Sequence, residues 1–323
     1  MVCRSILVTG ATGFLGSALV RYLASSEIFS VRAPVRSLTV SFPIGVEVVP
    51  IGSLDASTSW SKVLAGVEVV VHAAARVHIM KEDSRDSLTE FRKVNVEGTL
   101  NLARQAVSAG AKRFVFLSSI KVNGEGTSAG RPYRADDEPA PVDAYGRSKL
   151  EAELGLLELA ASTGLEVVII RPVLIYGPGV KANFLSMMHW LSKGIPLPLG
   201  AIHNRRSFVA LENLIDFIVT CINHPQAANQ TFLVSDGEDV STTELLRKLS
   251  DGLGRPSRLL PVPSQLMYCA AVLLSRQSVF DRLFGSLQVD ISKNRELLGW
   301  TPPLSLEQGL KLTAQHFLES HQS

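Results

Sequence analysis

Short apolar runs alternate along the chain with longer stretches whose apolar positions recur every three or four residues. Ile6–Thr9 reads as a strand and Phe14–Ala24 as a helix. Val31–Val35, Val46–Pro50 and Val67–His72 follow as strands. Leu88–Ala109 carries Phe91, Val94, Leu100, Leu102 and Val107 at helical spacing. Phe114–Leu117 predicts a fifth strand, Tyr145–Ala161 a helix, and Glu166–Ile170 a sixth strand. Strands written as unbroken apolar runs, such as Val167–Ile170, suit burial on both faces. Alternating strands and helices predict an α/β fold with a doubly wound parallel sheet. After Pro172 proline and glycine become frequent, as in Tyr176–Gly179 and Ile195–Gly200. The expected organisation is a dinucleotide-binding domain over residues 1–175, with a return near 205–235, and a smaller substrate-binding lobe over 176–323. Thr231–Val234 reads as a strand returning to the main sheet.

Composition narrows the class. The chain has 323 residues, 46% of them apolar, enough for a sizeable core. Lys and Arg total 32 against 30 Asp and Glu, a balance that disfavours a dedicated nucleic-acid binder. Cys3, Cys221 and Cys269 are too scattered for a disulfide framework or a zinc site, so no metal is expected and a reducing compartment fits. No segment reads as a targeting signal or an integral membrane span, which predicts a cytoplasmic protein. The apolar stretch Leu266–Leu274 reads first as a buried helix. A peripheral membrane contact is the alternative, because Arg276 and Arg282 follow.

Gly10-Ala-Thr-Gly13-Phe-Leu-Gly16 closes the first strand and opens the first helix. One glycine permits the turn, another lets backbone approach a pyrophosphate, and the last lets helix and strand pack closely. The helix N-terminus then offers free N–H groups to the anion. The spacing Gly-x-x-Gly-x-x-Gly resembles that of the extended short-chain dehydrogenase/reductases, the NAD(P)-dependent epimerase/dehydratase family. That resemblance implies a Rossmann-type fold and a bound dinucleotide, held by Gly10, Thr12, Gly13, Phe14 and Leu15.

The second strand ends in Val35-Arg36-Ser37, where an NAD-preferring site carries an acid. A guanidinium there suits a 2′-phosphate and Ser37 adds a hydroxyl, so NADP(H) is favoured and NAD(H) remains possible. Arg32 is a weaker second candidate. The resemblance further places Leu54 on the adenine, although Ser53 replaces the usual acid before it. Ala73, Ala74 and Ala75 resemble the small-residue turn that lets the cofactor pass, and Pro172 and Val173 resemble the loop that lies along the nicotinamide. His72 reads as structural.

Tyr145-Gly-Arg-Ser-Lys149 puts a phenol and an ammonium on one helix face. A phenol titrates near about 10, and adjacent positive charge lowers that value. Ser119 stands just past the fifth strand, where parallel sheets bind ligands, with Ser118 as competitor. Ser119, Tyr145 and Lys149 resemble the family's catalytic triad, and Asn95 the helix asparagine that completes it.

Sugar 4,6-dehydratases carry an acid pair after the active-site hydroxyl, where this chain has Ile120-Lys121, so dehydration is disfavoured. Asn183, Arg206 and Arg282 resemble residues that grip a nucleotide diphosphate, implying a UDP-sugar substrate. Arg76 to Glu82 is expected to line the substrate entrance. Leu174 and Leu287 stand where relatives have polar residues, which suits a 6-deoxy sugar. The expected activity is a UDP-4-keto-6-deoxy-HexNAc 4-reductase of polysaccharide synthesis. A UDP-glucose or UDP-GlcNAc 4-epimerase is the alternative. A non-sugar carbonyl reductase and a cofactor-sensing binding protein rank below both. The helices over Leu88–Ala109 and Tyr145–Ala161 resemble a homodimer interface.

Overall fold

The computed structural model describes residues 3–77, 87–128, 130–275 and 277–321. His78 to Glu82 of the expected substrate entrance, and Arg276, lie outside the described residues. Strands β1 (Arg4–Thr9), β2 (Phe29–Val35), β3 (Glu47–Pro50), β4 (Val69–His72), β5 (Arg113–Leu117) and β6 (Glu166–Pro172) are all parallel. β7 (Leu174–Tyr176) and β8 (Arg206–Ala210) lie outside this sheet, and β9 (Gln230–Val234) rejoins it beside β6. The order is β3-β2-β1-β4-β5-β6-β9. It reverses between β1 and β4, and a crevice opens at such a switch point beyond the strand ends.

Period-two alternation explains why both faces are apolar. Ile6, Val8, Val69, Val71, Val115, Val168 and Ile170 join one core cluster, while Leu7, Val70, Phe114, Phe116, Val167 and Ile169 join another. Against the first face pack α1 (Phe14–Ala24), through Leu19, Val20 and Leu23, and α7 (Leu211–Asn223), through Leu214, Phe217 and Ile218. Against the second pack α2 (Ser61–Leu64), α4 (Thr99–Ser108) and α5 (Ala144–Thr163). Both helix layers are the doubly wound arrangement the sequence predicts.

A third core belongs to the smaller lobe. It joins α6 (Ala182–Ser192), β7, β8, β10 (Asp239–Val240), α8 (Thr242–Gly252) and the C-terminal helix α11 (Leu306–His321) through Phe184, Phe208, Leu246, Leu310 and Phe317.

Two elements depart from the sequence reading. Leu88–Ala109 predicts one α-helix, but the backbone runs as α3 (Ser87–Phe91), a wider π-type stretch over Arg92–Gly98, and then α4. The stretch ends at Gly98, where a Cβ would lie 2.8 Å from the Leu54 carbonyl oxygen. Farther on, α9 (Ser264–Leu273) forms as a helix but is not buried: Leu266, Tyr268, Leu273 and the following Leu274 are exposed. It packs on α10 (Gln277–Phe284), with the Tyr268 ring edge-on to Phe280 at 5.3 Å. Among the described residues no helix is long and apolar enough to cross a membrane.

Candidate active site

The glycine turn sits at the switch point. Gly10 takes a left-handed φ of +71°, and a Cβ there would lie 2.8 Å from the Ala73 carbonyl carbon and the Ala74 nitrogen. A Cβ on Gly16 would lie 2.1 Å from the Gly10 oxygen, so α1 rests directly on the turn. The Gly13 N–H donates to the Gly10 carbonyl at 2.8 Å, leaving Thr12 and Gly13 exposed before the first turn of α1. Phe14 and Leu15 are partly buried behind them. A tight, glycine-rich turn at an 11-residue helix N-terminus is a cradle that fits a pyrophosphate.

Ala73, Ala74 and Ala75 leave β4 opposite this turn. The Ala74 N–H donates to the Thr9 hydroxyl at 3.3 Å. Thr9 is within 2.7 Å of His72 Nδ1, and Thr99 within 2.9 Å of Nε2. Burial, and next the charge of Lys149, push His72 down to about 3, so the imidazole is neutral. It braces β1, β4 and α4.

α5 starts beside the end of β5 because Asp143 caps it, its Oδ1 accepting from the Gly146 N–H at 2.7 Å. That places Tyr145 in the first turn, its ring edge-on to Phe91 at 6.0 Å. Burial pushes the Tyr145 phenol up to about 12, with the Asp143 charge adding to the shift. Lys149, one turn on, is 1% exposed, and its Nζ lies 4.1 Å from the centre of the Phe116 ring. Burial pushes it down to about 7, against the charge of Glu153. Burial and Asp143 thus favour the neutral phenol, and a phenolate there depends on a nearby cation.

Ser119 follows β5 and caps a short 3₁₀ turn over Ile120–Val122, its Oγ accepting from the Lys121 N–H at 3.3 Å. The competing Ser118 is buried. Lys121 pairs with Asp143 and, at 3.3 Å, with Glu125.

Asn95 lies in the π-type stretch and is 1% exposed. Its Oδ1 accepts from the Arg76 N–H at 2.8 Å, while its Nδ2 donates to the Arg76 carbonyl at 3.1 Å and to Ser148 at 3.0 Å. Its amide joins α5 to the chain leaving β4.

Around the rim, Arg36 is exposed just past β2, and Ser37 shares a 3.0 Å hydrogen bond with Thr39. Arg32 is committed elsewhere, to Glu47 at 2.7 Å and to the carbonyls of Val63 and Ala65. Leu54 is partly buried against the second core. Pro172 and Val173 are buried at the end of β6, and the Val173 N–H donates to Val234 at 3.3 Å.

Toward the smaller lobe, Arg206 Nη1 donates to the carbonyls of Arg282 at 3.1 Å and Gly285 at 2.9 Å. The two arginines are thereby brought together. Asn183 is exposed in the first turn of α6, after Ala182 with its left-handed φ of +55°. Leu287 is buried in the main core, beside Arg206, with which it forms a β-bridge.

Three residues escape the sequence reading as working parts. Glu153, Arg171 and Asn123 form a buried network in which Arg171 donates to Glu153 at 2.5–3.2 Å and to Asn123 Oδ1 at 3.0 Å. Glu153 continues the Tyr145–Lys149 face at the same four-residue spacing, which is the one signal the sequence carries.

A doubly wound sheet, a glycine turn at its switch point and a buried Tyr–Lys pair beside it define a short-chain dehydrogenase/reductase. The chain belongs to the NAD dependent epimerase/dehydratase family, whose model matches residues 6–235. It is 51% identical over 319 residues, 98% of this chain and 97% of the relative, to a UDP-glucose 4-epimerase of Vibrio cholerae. It is 27% identical over 326 residues, 97% of this chain and 95% of the relative, to an N-acetyl-alpha-D-glucosaminyl-diphospho-ditrans,octacis-undecaprenol 4-epimerase of Escherichia coli O157:H7. The solved structure of MoeE5 in complex with UDP-glucose and NAD matches with a TM-score of 0.77 at 26% identity, covering 98% of this chain and 99% of that one.

Proposed function

We propose that the chain is a UDP-hexose 4-epimerase, acting on UDP-glucose or UDP-GlcNAc. The observation that carries this reading is the near full-length relative at 51% identity named for that activity. The E. coli relative is likewise named a 4-epimerase of a sugar on a diphosphate. The reading thus favours the epimerase over the 4-reductase that the sequence puts first.

In this reading Gly10 to Leu15 and Ala73 to Ala75 hold the dinucleotide, and Leu54, Pro172 and Val173 flank it. When bound, a pyridine dinucleotide supplies hydride acceptance and return at C4 of the sugar. Tyr145 takes the proton from the C4 hydroxyl and later gives it back. Lys149 is the nearby cation that stabilises the phenolate, and Ser119 donates to the C4 oxygen. Arg206 and Arg282, with Asn183, meet the diphosphate and its nucleoside. Net change is inversion at C4, with no electrons consumed.

The reductase stays as a second reading because Arg36 occupies the place of the acid and favours NADP(H). One experiment separates the two. Incubation with UDP-glucose or UDP-GlcNAc and catalytic dinucleotide, followed by proton NMR, is expected to give a mixture of C4 epimers. Stoichiometric NADPH oxidation with a UDP-4-keto-6-deoxy-HexNAc, and no epimer from either UDP-sugar, would overturn the epimerase. The same reading pairs two copies through the outer face of α5, where Leu154 and Leu157 are exposed. Leu154→Glu is then expected to sediment as a monomer.

A further inference from the structure

Lys121 joins the Ser119 turn to the start of α5. Its N–H donates to the Ser119 Oγ at 3.3 Å. Its Nζ donates to Asp143 Oδ2, and to Glu125 at 3.3 Å. Asp143 in turn caps α5 through its other oxygen, 2.7 Å from the Gly146 nitrogen. The backbones meet as well. A Cβ on Gly146 would lie 2.7 Å from the Lys121 carbonyl oxygen, and the Ala140 N–H donates to the Val122 carbonyl at 3.0 Å. The turn that carries Ser119 and the helical turn that carries Tyr145 are thus clasped at one residue.

The cap itself does not require a carboxylate. Asn or Ser at that position accepts the same N–H without carrying charge. Here the cap is an anion two residues before Tyr145, and after burial it is the group that pushes the phenol up. A negative neighbour works against a phenolate, so this anion opposes proton uptake by Tyr145 unless a cation answers it. Lys121 is that cation. Burial opposes its charge, but Asp143 and then Glu125 outweigh burial and hold the ammonium above its ordinary value.

Other charges on α5 and on the elements packed against it are solvated or engaged elsewhere. Arg147 of α5, Glu97 of the π-type stretch and Arg104 of α4 are exposed. Arg92 pairs with Glu151 at 2.6 Å, and Lys93 with Glu90 of α3 at 2.6 Å. Arg76 also favours the Glu90 carboxylate. Arg171 of β6 pairs with Glu153, and His72 is neutral. Lys149 is the cation one turn past the phenol, and Lys121 answers the anion before it.

We propose that Lys121 is a positioning residue for proton transfer: through Asp143 it pins the Ser119 turn to the first turn of α5 and cancels the negative charge beside the Tyr145 phenol. The inference rests on the reading that Tyr145 moves the C4 proton.

The test titrates the Tyr145 phenol by near-ultraviolet phenolate absorbance, in the full chain saturated with oxidised NAD or NADP, whichever binds tighter. The same titration with Tyr145→Phe added to each background is subtracted. Lys121→Met is expected to raise the midpoint by about half a pH unit to one unit, and Asp143→Asn to lower it by a similar amount. The double variant is expected between the two, and Lys121→Arg at the midpoint of the parent. The acid limb of kcat/KM for UDP-glucose is expected to move in step. Asn keeps the cap, so Asp143→Asn decides the matter even where Lys121→Met is unstable. A packing role alone would lower stability or kcat with no shift in either midpoint, and that result would overturn the proposal. So would a rise in Lys121→Arg equal to that in Lys121→Met. A phenol that shifts as expected in a chain that epimerises neither UDP-sugar would remove the proposed function and leave the charge link standing.

Discussion

Arg171 and Glu153 meet in the interior, 4% and 1% exposed, with the guanidinium Nη2 2.5 Å from a carboxylate oxygen. Each stands next to a working segment. Glu153 is one turn beyond Lys149 on α5, and Arg171 immediately precedes Pro172 and Val173 at the end of β6. Arg171 also holds Asn123, four residues past Ser119. The pair thus ties the helix of the phenol to two strand ends of the site. Breaking a buried pair from one side leaves an uncompensated charge, costing about 3–5 kcal/mol. Glu153→Gln is expected to lower the unfolding midpoint markedly. The double variant Glu153→Leu, Arg171→Met is expected to recover much of that stability, since apolar replacement of a buried pair is often neutral. It should not recover turnover, because the link to Asn123 is gone. Thermal unfolding and kcat measured on the same samples check this, and kcat rising in step with stability would reduce the pair to a packing role.

This network also marks the limit of the sequence. The sheet was legible because strands such as Val167–Ile170 are apolar on both faces, and the Tyr145–Lys149 pair because its spacing is local. Glu153 was not, since a carboxylate on a Leu-, Glu- and Ala-rich helix reads as a solvated face. Its burial depends on Arg171, which arrives from another element. Arg32 shows the converse: one more arginine near the second strand's end looked available, yet β3 and α2 claim it. For α9, apolar composition specified a helix but not what would cover it. The π-type turn at Asn95 is a tertiary event too, set where Gly98 meets the Leu54 carbonyl.

Tyr145 and Lys149 give opposite effects on rate and stability. Tyr145→Phe removes the proposed acid/base and is expected to slow turnover by roughly 10²- to 10⁴-fold. Lys149→Met is expected to abolish turnover but stabilise the fold. The ammonium falls from an ordinary value of 10.5 to about 7. Between these values the unfolded chain holds the extra proton, so stability rises with pH across that window and the cost is complete below pH 7. Methionine removes that cost. Urea unfolding should show the variant ahead of the parent at pH 6, with the gap closing towards pH 10.

His72 predicts sensitivity to acid. Its value falls from 6.5 to about 3 in the folded chain. Below pH 6.5 the unfolded chain gains a proton that the folded chain refuses, so stability drops as pH falls from 6.5 towards 3. His72→Asn loses packing by an amount that does not change with pH, but it removes this slope. Unfolding curves at pH 7, 6, 5 and 4 are expected to converge for parent and variant as the pH falls. Parallel curves would mean that another group sets the acid limit.

Coenzyme choice is expected to turn on Arg36. It is exposed immediately after β2, where the adenosine ribose of a dinucleotide meets the sheet in this fold class. A guanidinium there forms charge-assisted bonds to a 2′-phosphate and gains nothing of that kind from a 2′-hydroxyl. Bonds to a charged group are worth about 1.5–3 kcal/mol, or roughly ten- to a hundredfold in affinity. Arg36→Asp is therefore expected to weaken NADPH by about that factor or more while leaving NADH unchanged or slightly tighter, since a carboxylate repels phosphate and accepts from ribose hydroxyls. Titration of protein fluorescence with each coenzyme measures both constants. Equal losses for the two would show that Arg36 does not touch the ribose, and would favour NAD as the coenzyme.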